Sequence, residues 1–225
     1  MELQEVLTQL KALANPEAVS GMAQFGIQGQ NVYGISIPNL RKLAKQIKKD
    51  HALAGELWQS GIHEARILAS MIDDPKLVTE AQLEAWVKDF DSWDLCDQCC
   101  SNLFDKTEFA YPKAIAWTER DEEFVKRAGF VLMACLAVHD KKAPNAQFEQ
   151  FLTLIKREAS DDRNFVKKAV NWALRQIGKR NRRLNQLAIA LAREIQEIDC
   201  KTARWIGSDA LRELTSEKVQ QRLGE

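Results

Sequence analysis

Apolar residues return every three or four positions along almost the whole chain, as in Leu3, Val6, Leu7, Leu10 and Leu13 and again in Leu40, Leu43, Ala44 and Ile47. That period is the helical one and excludes the strict alternation of a half-buried strand. Short breakers interrupt it at Asn15-Pro16, residues 26–34, Gly61, Asp73-Asp74-Pro75, Asp105, Tyr111-Pro112, residues 140–144, Ser160-Asp161-Asp162, Arg180-Asn181 and Asp199. Pro38-Asn39 suits a helix start, because Pro is tolerated in a first turn. The pattern predicts an all-α chain of about a dozen helices, each roughly 10–20 residues, joined by short turns. Ten Gly, five Pro and few β-branched runs point the same way.

Helices this short, each with one apolar stripe, must stack on neighbours to bury it, and an array of helix pairs does so one pair at a time. The spacing between pairs, roughly 35–45 residues, falls in the HEAT and armadillo range, although no strict repeat appears at the residue level. The expected architecture is an α-α superhelix of degenerate HEAT/armadillo-like repeats, whose concave face would suit a rod-shaped partner. No Gly/Ser/Pro-rich linker divides the chain, so residues 1–225 read as a single domain. The runs 130–138 and 184–191 are apolar nearly all round and predict central buried helices.

Residues 2–5 carry acids where a secretory leader would carry bases, and the longest nearly uncharged apolar stretch, 128–138, is far short of a membrane span. Five cysteines (Cys96, Cys99, Cys100, Cys135, Cys200), an odd number without framework spacing, fit a reducing cytoplasm. The net charge is zero but unevenly spread. Residues 61–155 hold 10 Lys and Arg against 17 Asp and Glu, whereas 156–205 hold 13 against 6. A basic third inside a neutral protein is what a localised polyanion contact needs; the plainer reading is the solvated faces of long helices.

Asp91-Ser92-Trp93-Asp94-Leu95-Cys96-Asp97 places an indole and a carboxylate four residues apart, on one helix face. Downstream, Lys126-Arg127 opens an apolar run, and Trp172 has Lys168 and Arg175 on its own face. Most of the six tryptophans are expected to be packing residues. A π-face beside an acid is either a cation site or a capped piece of core.

These elements together resemble the DNA alkylation repair family of HEAT-like-repeat glycosylases, the bacterial AlkD type. The likeness runs from Asn15-Pro16 and Met22-Ala23-Gln24-Phe25 through residues 34–43 and Ser92 to Asp97. It continues in Phe124-Val125-Lys126-Arg127-Ala128 and ends in residues 168–175. The resemblance implies that Trp93, Asp97, Arg127 and Trp172 form the catalytic set. It puts Arg41 and Arg175 near the DNA strand, with Lys126, Lys168, Lys179 and Arg180 among the phosphate-binding bases. The implied activity is release of cationic N3- and N7-alkylated purines, 3-methyladenine and 7-methylguanine, from double-stranded DNA, by a monomer without a cofactor and without pocket-type base flipping. Two positions depart from the family's pattern: Ser92 stands where a second Trp is common, and Phe25 where Tyr is.

Cys96-x-x-Cys99-Cys100 lacks a nearby His or second Cys pair to complete a tetrahedral set, so no metal site is expected. His63-Glu64-Ala65-Arg66 reads as a surface helix, and His51, His63 and His139 are too scattered for a triad. The rival function is a non-catalytic HEAT-repeat scaffold for DNA structures or a protein partner, which needs the solenoid but not the Trp93/Asp97/Arg127/Trp172 set.

Overall fold

The structure is a computed structural model that describes residues 1–27 and 31–224. The chain forms two compact units, Met1–Glu108 and Phe109–Glu225, with no linker-like composition at the boundary. Among the described residues every regular element is helical, as the periodicity predicts. Among the described residues no helix is long and apolar enough to cross a membrane.

The first unit contains α1 (Leu3–Ala12), α2 (Pro16–Gln24), α3 (Ile37–Ile47), α4 (His51–Gln59), α5 (His63–Ile72), α6 (Glu80–Lys88) and α7 (Trp93–Asn102), followed by a 3-10 turn at Phe104–Lys106. Several breakers are helix caps: the side chains of Asn15, Asp50 and Thr79 accept from the backbone N–H groups of Ala18, Leu53 and Gln82. Of the 26–34 breaker, residues 28–30 lie outside the described residues. Contacts between α5 and α7 keep a nearly constant sequence separation. His63 meets Asp94 31 residues on, and Ser70 meets Asn102 32 residues on. Two helices whose contacts keep the same offset to within one residue over two turns run parallel, so α5 and α7 are equivalent members of successive repeats. On the other layer, Trp58 of α4 stacks on Trp86 of α6, with ring centroids 3.9 Å apart and planes 5° from parallel.

The second unit contains α8 (Ala110–Ala116), a 3-10 turn at Trp117–Glu119, α9 (Glu123–His139), α10 (Asn145–Arg157), α11 (Asn164–Gly178), α12 (Arg182–Gln196), α13 (Lys201–Leu214) and α14 (Glu217–Gly224). Here the offset is 38: Arg127 meets Phe165, Asn171 meets Asp209 and Arg175 meets Glu213. Hence α9, α11 and α13 lie side by side and parallel. The outer helices keep the same offset, Lys156 of α10 pairing with Glu194 of α12.

Three local expectations change. Tyr111-Pro112 opens α8 instead of breaking a helix, because the N–H that Pro lacks has no partner in a first turn. Residues 130–137 are buried within α9 as expected, although Val138 at the end of that run is exposed, and 184–191 is not buried all round. It lies on an amphipathic helix, with Leu184, Ala188 and Leu191 inward and Leu187 exposed. Finally, His63 and Glu64 are core residues, 7% and 1% exposed. The Glu64 carboxylate accepts from the N–H groups of Tyr33, Gly34 and Ile35 at 2.6–3.1 Å, which offsets the cost of burying it. Gly34 is required there. Its φ is +74°, and a Cβ would lie 2.3 Å from the carbonyl oxygen of Asn15.

Candidate functional site

In the first unit the site-bearing element is α7. Its inward face is Leu95, Cys96, Cys99 and Cys100, all fully buried. This leaves Trp93 and Asp97, one turn apart, on the half-buried flank. Burial raises the Cys99 thiol well above its usual range, so Cys99 serves as packing.

Trp93 is held in place from outside the helix. Its indole N–H donates to the backbone carbonyl of Phe25, just past the end of α2, at 3.0 Å. The Phe25 side chain is 68% exposed, an unusual state for a large aromatic residue. The first turn of α7 is anchored from the other side. Asp94 Oδ2 lies 2.8 Å from His63 Nε2 on α5. Burial opposes protonation of His63, but the bond to Asp94 and the charges of Asp94, Glu64 and Asp91 outweigh it, and the pKa rises above its ordinary 6.5. Ser92, the N-cap of α7, is 1% exposed. Its Oγ and Asp94 Oδ1 are buried without a hydrogen-bond partner among the described residues. The position where an aromatic is common therefore faces inward here. Arg41 is exposed on α3.

In the second unit, adjacent residues of α9 part company. Arg127 is 5% exposed and donates from Nη1 to the carbonyl of Phe165 at 2.7 Å. Lys126 pairs with Glu158 at 2.8 Å and lies 3.6 Å from Asp161. On α11, Lys168, Trp172, Arg175 and Lys179 follow at helical spacing along one face. Lys168 is exposed and Trp172 half-buried. Arg175 and Lys179 both bond the carboxylate of Glu213 on α13, and Arg175 also lies 3.8 Å from Asp209. Burial pushes the Glu213 carboxyl up, but the bonds and charges of Lys179 and Arg175 prevail and its pKa is lowered. Arg180 donates to the carbonyls of Ala137 and Ala143 at 3.1 and 3.0 Å and stacks over the Phe148 ring, binding the end of α9 to α10.

The structure thus groups Trp93 with Asp97, and Lys168 with Trp172, Arg175 and Lys179. Lys126, Arg175, Lys179 and Arg180 are engaged within the fold, whereas Arg41 and Lys168 stand in solvent. Sequence reasoning missed the His63–Asp94 and Glu213–Arg175 pairs. The signal that would have found them is the repeat length, 31 residues in one unit and 38 in the other.

Comparison with known proteins places these residues in context. The sequence profile described as DNA alkylation repair enzyme matches residues 6–214. An uncharacterized protein of Listeria innocua is 25% identical over 195 residues, covering 85% of each chain, and one of Listeria monocytogenes is 24% identical over the same span. A solved structure from a family described as related to the HEAT-like repeat DNA glycosylases, with affinity for branched DNA structures, superposes with a TM-score of 0.79. It covers 95% of this chain and 96% of its own at 21% identity, a likeness of fold.

Proposed function

The chain belongs to the DNA alkylation repair enzyme family, and from that premise we propose that it is a glycosylase releasing cationic N3- and N7-alkylated purines from duplex DNA. The observation that carries this reading is the Trp93–Asp97 pair, an indole fixed by its N–H and a carboxylate one turn away on the same flank of α7.

Alkylation at N3 or N7 gives the purine a positive charge and weakens its bond to the sugar. When that bond breaks, the electron pair leaves with the base, which becomes neutral, and positive charge passes to the deoxyribose. Asp97 stabilises that developing oxocarbenium-like charge electrostatically and orients the water that adds to C1′, whose proton is lost to solvent. The π-face of Trp93 favours the same cation, and Trp172 offers DNA a second half-buried aromatic face. Arg41 and the bases of α11 hold phosphates, contacts that position DNA without reading its sequence; Arg127, buried and bonded to the Phe165 carbonyl, steadies the start of α11 instead.

Selectivity then follows lability: cationic lesions react and neutral ones do not. Base release from duplexes carrying 7-methylguanine or 3-methyladenine, set against uracil and 1,N6-ethenoadenine, tests this. Release of the two cationic bases alone supports it; similar rates for all four would defeat the mechanism.

A second reading has its own support. The structurally similar protein is described as having affinity for branched DNA structures, and Ser92 is buried where relatives commonly have a second aromatic. On that reading the chain binds branched DNA and excises nothing.

A further inference from the structure

The tryptophans sort into three environments, and one of them has no role in the site above. Trp58, Trp86 and Trp117 are core residues, Trp93 and Trp172 are half-buried, and Trp205 on α13 is exposed at 43%. An exposed indole offers a flat aromatic face to solvent, and what surrounds it decides whether that face can serve a partner.

Its surroundings define the partner's chemistry. One turn back on the same face of α13 is Lys201, and the adjacent residue is Arg204; both are exposed. From α11, Lys167 sets its ammonium 5.8 Å from the centroid of the Trp205 ring, in keeping with the 38-residue offset of these helices. The next residue, Lys168, is exposed as well. The exposed stripe continues from Trp205 to Ser208. An apolar protein partner would call for further apolar residues around the indole, and here the exposed neighbours are cations and a hydroxyl, while Asp209, one turn on, is less exposed and taken up by Asn171 and Arg212. Asp199 bonds Arg204 at 2.9 Å, but it is fully exposed and readily displaced.

A flat aromatic ring ringed by flexible cations is the arrangement that holds unpaired nucleotides: the base stacks on the ring and the flanking phosphates pair with the cations. A base inside a duplex has both faces covered by its neighbours, so the ligand must present an unstacked one. We propose that Trp205, with Lys167, Lys168, Lys201 and Arg204, is a stacking platform for an unpaired base of DNA, at a single-stranded overhang, gap or branch point. The inference rests on the reading of DNA as partner and is independent of excision.

The test is fluorescence anisotropy with two labelled DNAs, a blunt duplex and the same duplex with a thymine overhang, titrated with wild type, Trp205→Ala and Trp205→Phe. Wild type should bind the overhang DNA more tightly. Trp205→Ala should lose roughly 5- to 100-fold on that DNA while binding the blunt duplex within about twofold of wild type, and Trp205→Phe should keep most of the affinity. Circular dichroism confirms that each variant is folded. Equal binding of the overhang DNA by wild type and Trp205→Ala would overturn the platform and leave the DNA reading intact. Failure of wild type to bind either DNA would overturn both.

Discussion

The indole N–H of Trp93 donates to the backbone carbonyl of Phe25 at 3.0 Å, across 68 residues of sequence. The bond fixes the ring plane of a half-buried tryptophan at the start of α7 and ties the end of α2 to it. Two distant parts of the sequence are thereby joined beside the turn that carries Asp97.

Trp93→Phe removes that donor and keeps an aromatic face. The freed carbonyl is near solvent, so the expected cost in stability is only about 0.5–1 kcal/mol by urea unfolding. Trp93→Ala removes the face as well and should lower the rate of 7-methylguanine release a further 2- to 30-fold, the range of a cation–π contact. Equal rates for the two variants would mean that the ring does not meet the sugar cation.

His63 predicts the pH dependence of folding. The folded state raises its pKa above 6.5 through Asp94 despite burial, so it binds the proton more tightly than the unfolded chain does. Its contribution is fully present below about pH 6.5 and is lost as pH rises through the raised value. Denaturant unfolding between pH 5.5 and 8.5 should show stability falling over that upper range. His63→Gln should flatten the slope and, at pH 6, cost about 1–3 kcal/mol, because Asp94 loses its partner. An unchanged slope in the variant would assign the titration elsewhere.

Gly34 and Glu64 hold the entry to α3 as a unit. Gly34→Ala meets both a left-handed φ and the Asn15 carbonyl and should destabilise by about 3 kcal/mol or more. Glu64→Gln turns an acceptor of several N–H groups into one that must present its own NH2 to them, with a loss of similar size. Thermal melts of the two variants check this.

Glu213 competes with phosphate for Arg175 and Lys179. Glu213→Gln should therefore strengthen duplex binding at low salt and steepen its salt dependence, each additional phosphate contact adding about −0.9 to the log–log slope. Reduced stability with unchanged DNA affinity would show that the two bases serve only the α11–α13 contact.

The helical class was legible because burial imposes the 3.6 period on every packed helix, and the breakers at Asn15 and Asn181 were legible because their side chains cap the helices that follow. The 184–191 run misled because Ala and Leu count as apolar on either face; only packing shows that Leu187 points outward. The neighbourhood of Trp93 and Asp97 was legible as i, i+4 spacing. What steadies it was not, since His63–Asp94 and Trp93–Phe25 join residues 31 and 68 apart. The engagement of Arg175 and Lys179 by Glu213 was hidden for the same reason: charge counts along a sequence do not reveal which acids the next repeat brings alongside.

The central claim is that Asp97 acts on the sugar cation, and base release from 7-methylguanine duplex at pH 7 by wild type and Asp97→Asn tests it most directly. The account predicts that the wild type exceeds the spontaneous rate and that Asp97→Asn, folded and binding DNA as the wild type does, is slower by roughly 30- to 1,000-fold. Equal rates for the two proteins, or wild-type release no faster than the spontaneous reaction, would contradict it.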